Sequence, residues 1–201
     1  MKVTVTEKIK NNWKWLLCVV IVLPILCGAL SNYHAIDEVD NACVNTENGD
    51  IALTYYDGER NGTVLRVYDV TGHKLYEKFL PACVGTRMRY ASSALEVYSI
   101  QKGDDMLVSW DRDGTVLEKI ASPDKDNKSI GALYELDEWS GWDKTGNTRT
   151  FKTGSATYEY TESSWIKRIV RHGNCAMHIT SSDGEAVKVY GSGSKPRLNL
   201  A

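Results

Sequence analysis

The sequence predicts an all-β antiparallel meander carried behind one N-terminal transmembrane helix, and three observations lead there. Leu16 to Leu30 is a run of fifteen residues without a charge. From Ile51 onward, β-branched and aromatic residues recur with a period of two, the pattern of strands with a buried face. Between those strands a corner built on aspartate and glycine returns several times.

Fifteen helical residues at about 1.5 Å each fall short of a hydrocarbon core of about 30 Å. Trp13 and Trp15 before the run and Tyr33 after it set amphipathic rings at both headgroup layers and extend the span to residues 13–33. Lys2, Lys8, Lys10 and Lys14 precede it against one acid, Glu7, while Asp37, Glu38 and Asp40 follow. Positive charge stays in the cytoplasm, so residues 1–12 are expected inside and the chain beyond Tyr33 outside, as a signal anchor in the cell membrane. The same pattern fits a cleaved signal peptide, with Cys27-Gly28-Ala29 or Ala29-Leu30-Ser31 as the small-x-small site. Either reading exports the same domain. A lipoprotein fits less well, because Leu26 stands where a lipobox needs a small residue.

The chain carries a net charge of −2, and beyond the basic lead 20 cations face 25 anions, a balance of −5. That balance argues against nucleic acid and against adhesion to anionic lipid. Of five cysteines, Cys18 and Cys27 fall in the apolar run, which leaves Cys43, Cys83 and Cys175 outside it. An odd number admits at most one intramolecular disulfide, and no Cys/His spacing suits zinc.

Residues 34–49 are polar and acidic and read as a tether; residues 50–190 read as the β-repeat domain. Ile51 to Tyr56 and Thr63 to Tyr68 form strands around the loop Asp57 to Gly62, a hairpin. Lys74 to Leu80 adds a third strand, ending at Pro81. Tyr68-Asp-Val-Thr-Gly72 is echoed by Trp110-Asp-Arg-Asp-Gly114, by Phe151-Lys-Thr-Gly154 and by Ser182-Asp-Gly184, with glycines 42, 40 and 30 residues apart. Aspartate accepts local backbone hydrogen bonds and glycine supplies positive φ, so each is a hairpin corner. Ile130 to Leu136 is expected to add one strand, Ala176 to Thr180 another, and residues 191–201 a flexible tail.

The aromatic-Asp-x-x-Gly corner between two strands resembles the blade hairpins of β-propeller proteins of the WD40-like or quinoprotein-like kind, over roughly residues 50–190. The first two units match well, the third lacks the aspartate, and the Gly-His and Trp-Asp dipeptides that close WD40 units are missing as a set. The resemblance implies stacked four-stranded meanders. A partial propeller, a self-associating half and a twisted sandwich all fit the length.

A catalytic constellation is not evident, and no metal or cofactor is implied. Gly-x-Ser-x-Gly, HExxH and P-loop patterns are missing. Asp111-Arg-Asp113 with Glu118 fails the spacing of a calcium loop, because glycine comes at the fourth position. Asp137, Glu138 and Asp143 could serve glycoside chemistry only if they met His172 or His178. His34 falls in the tether and His73 at a turn. Lys167 to Arg171 splits its charge between two strand faces and reads as a protected edge. Trp139 and Trp142, in a loop of acids and glycines, are the candidate binding residues, because loop aromatics carry recognition. The expected function is a membrane-anchored, non-catalytic binding module. Its partners are the bilayer, through residues 13–33, and a protein or carbohydrate outside the cell. Asn61-Gly-Thr63 and Asn127-Lys-Ser129 are glycosylation acceptors in a host with the machinery.

Overall fold

The computed structural model describes residues 39–58, 60–101, 103–162 and 176–190. The proposed anchor residues Trp13, Trp15 and Tyr33 lie outside the described residues, as do the tether's residues 34–38, Cys18, Cys27 and Cys175, His34 and His172, residues 167–171 and the tail. Among the described residues no helix is long and apolar enough to cross a membrane.

The architecture is antiparallel β with one short helix. A first sheet holds β1 (Asn41–Val44), β2 (Ile51–Asp57), β3 (Gly62–Tyr68) and β4 (Lys74–Pro81), and a second holds β5 (Cys83–Ala91), β6 (Ala94–Gln101), β7 (Met106–Trp110) and β8 (Val116–Ala121). A third sheet contains β9 (Asp143–Thr145), β10 (Thr148–Lys152), β11 (Ala156–Thr161), β12 (Ala176–Ser181) and β13 (Ala186–Tyr190). In each sheet, neighbours in sequence are neighbours in space, which makes every sheet a meander.

Strand alternation explains how the sheets stack. In β2, Ile51 and Leu53 turn to one side and Ala52 to the other, and all three are buried. On one side Ile51, Leu53 and Tyr68 pack with Tyr158, Tyr160, Met177 and Ile179 of the third sheet. On the other, Ala52, Leu65 and Val67 pack with Met88, Leu95, Val97 and Val108 of the second. The first sheet is therefore covered on both faces. The far face of the second sheet buries Tyr98 and Leu107 against Leu133 of helix α1 (Lys128–Tyr134). The far face of the third presents Thr148, Thr150, Thr157, Glu159, Thr161, His178 and Thr180, all exposed or half-buried. The stack does not close into a ring.

Three elements differ from the sequence reading. Val39 to Gly49, expected in the tether, belong to the domain: Val39 is buried and β1 pairs with β2 from Asn41↔Thr54 to Val44↔Ile51. β5 and β6, unassigned from sequence, are the longest pair of the second sheet. Ile130 to Leu136, expected as a strand, falls largely in α1 and its C-terminal end. There Asn127 caps the N-terminus by accepting from the Ser129 backbone N–H at 3.0 Å. Ile130, Leu133 and Leu136 then recur at helical spacing on one cluster.

The recurring corner is a structural repeat. Asp69 N–H donates to His73 O and Gly72 N–H to Asp69 O; Asp111 with Thr115 and Gly114 repeats both bonds, and so does Ser181 with Glu185 and Gly184. The Asp69 and Asp111 Oδ1 atoms each accept two further backbone N–H groups. Gly72, Gly114 and Gly184 have φ of 81°, 83° and 90°. These corners join β3 to β4, β7 to β8 and β12 to β13. The Gly154 corner joins β10 to β11 and is a different element, which is why the third match lacked its aspartate.

Candidate functional site

Antiparallel order fixes two ends of the domain. β1 runs away from the chain entry at Val39, so the β1–β2 loop and the three repeated corners lie at the opposite, distal end. The loop from Asn45 to Asp50 ties the sheets together there. Asn45 Nδ2 donates to Ser92 O in the β5–β6 turn at 3.3 Å. Tyr158 of β11 donates from its hydroxyl to Gly49 O at 2.7 Å. The Asp50 carboxylate, 2% exposed, accepts from Arg112 Nε at 2.7 Å and Nη2 at 3.1 Å, and from Asn48 Nδ2 at 3.0 Å. One loop thus bonds to both neighbouring sheets, and a bidentate guanidinium offsets its buried carboxylate.

Beside this loop opens a cleft of about 350 Å³, near the lower end of small-ligand sites. Val44, Asn45 and Glu47 form one wall, Met88, Tyr90 and Ser92 a second, and Leu136, Ser140 and Phe151 a third. All three sheets and the inserted segment after β8 contribute. Tyr90 lines the cleft, and its hydroxyl is shielded from solvent with no hydrogen-bond partner among the described residues. Burial, reinforced by the fields of Cys43, Tyr76 and Asp50, holds that phenol well above its ordinary range. Burial also pushes the Cys43 thiol up to about 12, despite a hydrogen bond from the Tyr90 backbone. Cys43 therefore stays a thiol at neutral pH, not a nucleophile. Burial and the nearby Asp50 carboxylate push Tyr158 up to about 12. The cleft is lined by apolar and polar side chains together with the Glu47 carboxylate and Arg89, which is paired with Glu96, and is suited to holding a ligand or side chain by contact and hydrogen bonds.

The sequence-predicted binding residues lie behind this cleft. Trp142 is buried at 9% exposure and donates from Nε1 to Ala42 O of β1 at 3.2 Å. Trp139 is half-buried: Tyr160 stacks on it at 5.1 Å, Trp142 meets it edge-on at 5.2 Å, and the Arg149 guanidinium covers it at 4.7 Å. Trp142 in turn lies 5.5 Å from the Phe151 ring that lines the cleft. Both indoles close the edge of the core between the first and third sheets.

Among the described residues the acids and histidines are dispersed. Glu138 Oε1 accepts from Arg87 at 3.3 Å, and Asp137 O closes a turn with Ser140 N–H. Asp143 on β9 and His178 on β12 share the outer face of the third sheet in one cross-strand row, Asp143↔Thr150↔Glu159↔His178. Three strand spacings put their backbones about 14 Å apart, beyond proton-transfer reach. His73 is 84% exposed beside Asp69. Among the described residues no group of three His, Cys, Asp or Glu could hold a metal ion. The cleft itself carried a sequence signal that went unread: Asn48-Gly49 ahead of Ile51 is a strong hairpin marker, and it would have placed the β1–β2 loop.

No family model matches the chain, and no curated protein does. Among solved structures, a protein of unknown function from Bacteroides caccae is similar at 12% identity and a TM-score of 0.35, over 80% of this chain and 48% of that one. The acylaminoacyl peptidase of Pyrococcus horikoshii is similar at 8% identity and a TM-score of 0.18, over 78% of this chain and 32% of that one. The chain thus spans about half of the first and about a third of the second.

Proposed function

We propose that this chain is a single-pass membrane protein, N-terminus inside, whose extracytoplasmic β domain is a non-catalytic binding module acting through its distal end. The observation that carries this reading is the polarity of the domain. The chain enters at Val39, while the cleft and the three repeated corners gather at the other end of the domain. Trp139 and Trp142 act as supports, setting the wall that Phe151 presents. In this reading the meanders are blade-like repeats of an open, partial propeller. A two-layer sandwich leaves each sheet one solvent face, whereas here the first sheet is buried on both, between the second and third. Helix α1 and the threonine-rich face cap the two ends of the array.

Photo-crosslinking in the source cell tests the site. A benzophenone side chain at Thr46 or Ser140, both at the cleft, is expected to give discrete high-mass adducts. The same group at Thr157, on the polar face of the third sheet, is expected to give none. Adducts of equal yield at all three positions, or none at Thr46 and Ser140, would contradict the assignment.

A further inference from the structure

We infer that the domain has a second, direct contact with the bilayer, through a proximal patch centred on Tyr56 and Val84. The inference rests on the anchored reading above. Val39 is buried in the domain, and only six peptide steps separate it from Tyr33, the last aromatic of the apolar segment. Fully extended, those steps reach about 20 Å, less than the width of a small domain. The surface around the chain entry therefore lies within reach of the headgroups.

That surface has the matching chemistry. Asp40 and Asn41, where the chain enters, line one shallow recess of about 170 Å³ together with Tyr56 and Val84. Tyr56 is 42% exposed and Val84 53%, and both stand among the few large apolar side chains that the described domain leaves open. Tyrosine is a favoured interfacial residue, with a ring for the acyl boundary and a hydroxyl for the headgroups. Tyr56 holds that hydroxyl at the surface by donating to Asn61 Oδ1 at 3.0 Å.

The neighbouring charges are paired. Arg60 meets Asp57 at 2.6 Å and Arg87 meets Glu138 at 3.3 Å. With three carboxylates, Asp40, Asp57 and Glu138, against two guanidinium groups, Arg60 and Arg87, the patch has no attraction for anionic lipid, so the surface it fits is zwitterionic, such as phosphatidylcholine or phosphatidylethanolamine.

The test uses the full chain in phosphatidylcholine vesicles, with an environment-sensitive fluorescent amino acid at position 56, 84 or 117. Leu117, 58% exposed on β8, is the control. Vesicles carry a spin label near the headgroup end of the acyl chain. Interfacial side chains sit about 5–10 Å into the boundary, so quenching at 56 and 84 is expected to exceed that at 117 by about twofold or more. It should change little when a third of the lipid is made anionic. Protein that floats with the vesicles but is quenched equally at all three positions would overturn the patch and leave the anchor standing. Protein that does not float would overturn the anchor and this contact together.

Discussion

At the scale of single residues, the repeated corner makes the sharpest demand. Gly114 has φ of 83°, and a Cβ there would lie 2.7 Å from Cγ of Tyr76. Gly184 has φ of 90° with open space around it. Replacing either by alanine incurs the left-handed penalty of about 1–2 kcal/mol. Only Gly114→Ala adds a collision with a ring packed in the core. Chemical denaturation of the two variants should therefore show Gly114→Ala clearly the more destabilised; equal losses would mean that the β7–β8 corner does not rest on Tyr76. These corner residues were legible in the sequence because aspartate and glycine act locally. Trp139 and Trp142 were not legible in the same way. A loop indole can bind outward or pack inward, and the choice depends on a carbonyl 100 residues away, Ala42 O. Asp50 is similar: its partner Arg112 is 62 residues distant, and nothing beside either residue announces the pair.

At the scale of elements, period-two alternation marked β2 and β3, which combine β-branched and aromatic residues with a local turn, and β4, where Leu75, Tyr76, Phe79 and Leu80 follow a corner. β1 was missed because four residues, Asn41–Val44, give too little pattern. β5 and β6 were missed because arginines and a glutamate interleave with the buried positions and pair across the strands, as Arg89 does with Glu96 at 2.6 Å. Helix α1 was misread because its seven residues show only two turns of periodicity, and the cap that decides the matter is a single asparagine. Leu133 is its one fully buried side chain and plugs the outer face of the second sheet. Leu133→Ala is expected to cost about 2–5 kcal/mol, the range for a buried leucine. The companion Tyr134→Ala, at an exposed position, should cost markedly less. Equal effects in thermal unfolding would show that α1 does not cap the sheet.

At the scale of the whole molecule, class and direction were readable while arrangement was not. Local signals predicted antiparallel meanders. Which sheet lies between the other two depends on pairings such as Asn41 with Thr86, whose Nδ2 to O distance is 3.0 Å, and no periodicity encodes these. The stack has two unlike ends: an entry end with exposed Tyr56, and a distal end with a cleft walled by three sheets. The central claim is that residues 13–33 hold this domain to the outside of the membrane. It is tested most directly by N-terminal sequencing of the protein from membrane and soluble fractions, combined with protease added outside the cell. The account predicts an intact Met1 region in the membrane fraction and digestion only of residues beyond Tyr33. A domain found wholly protected from external protease, or soluble with Met1 still attached, would contradict it.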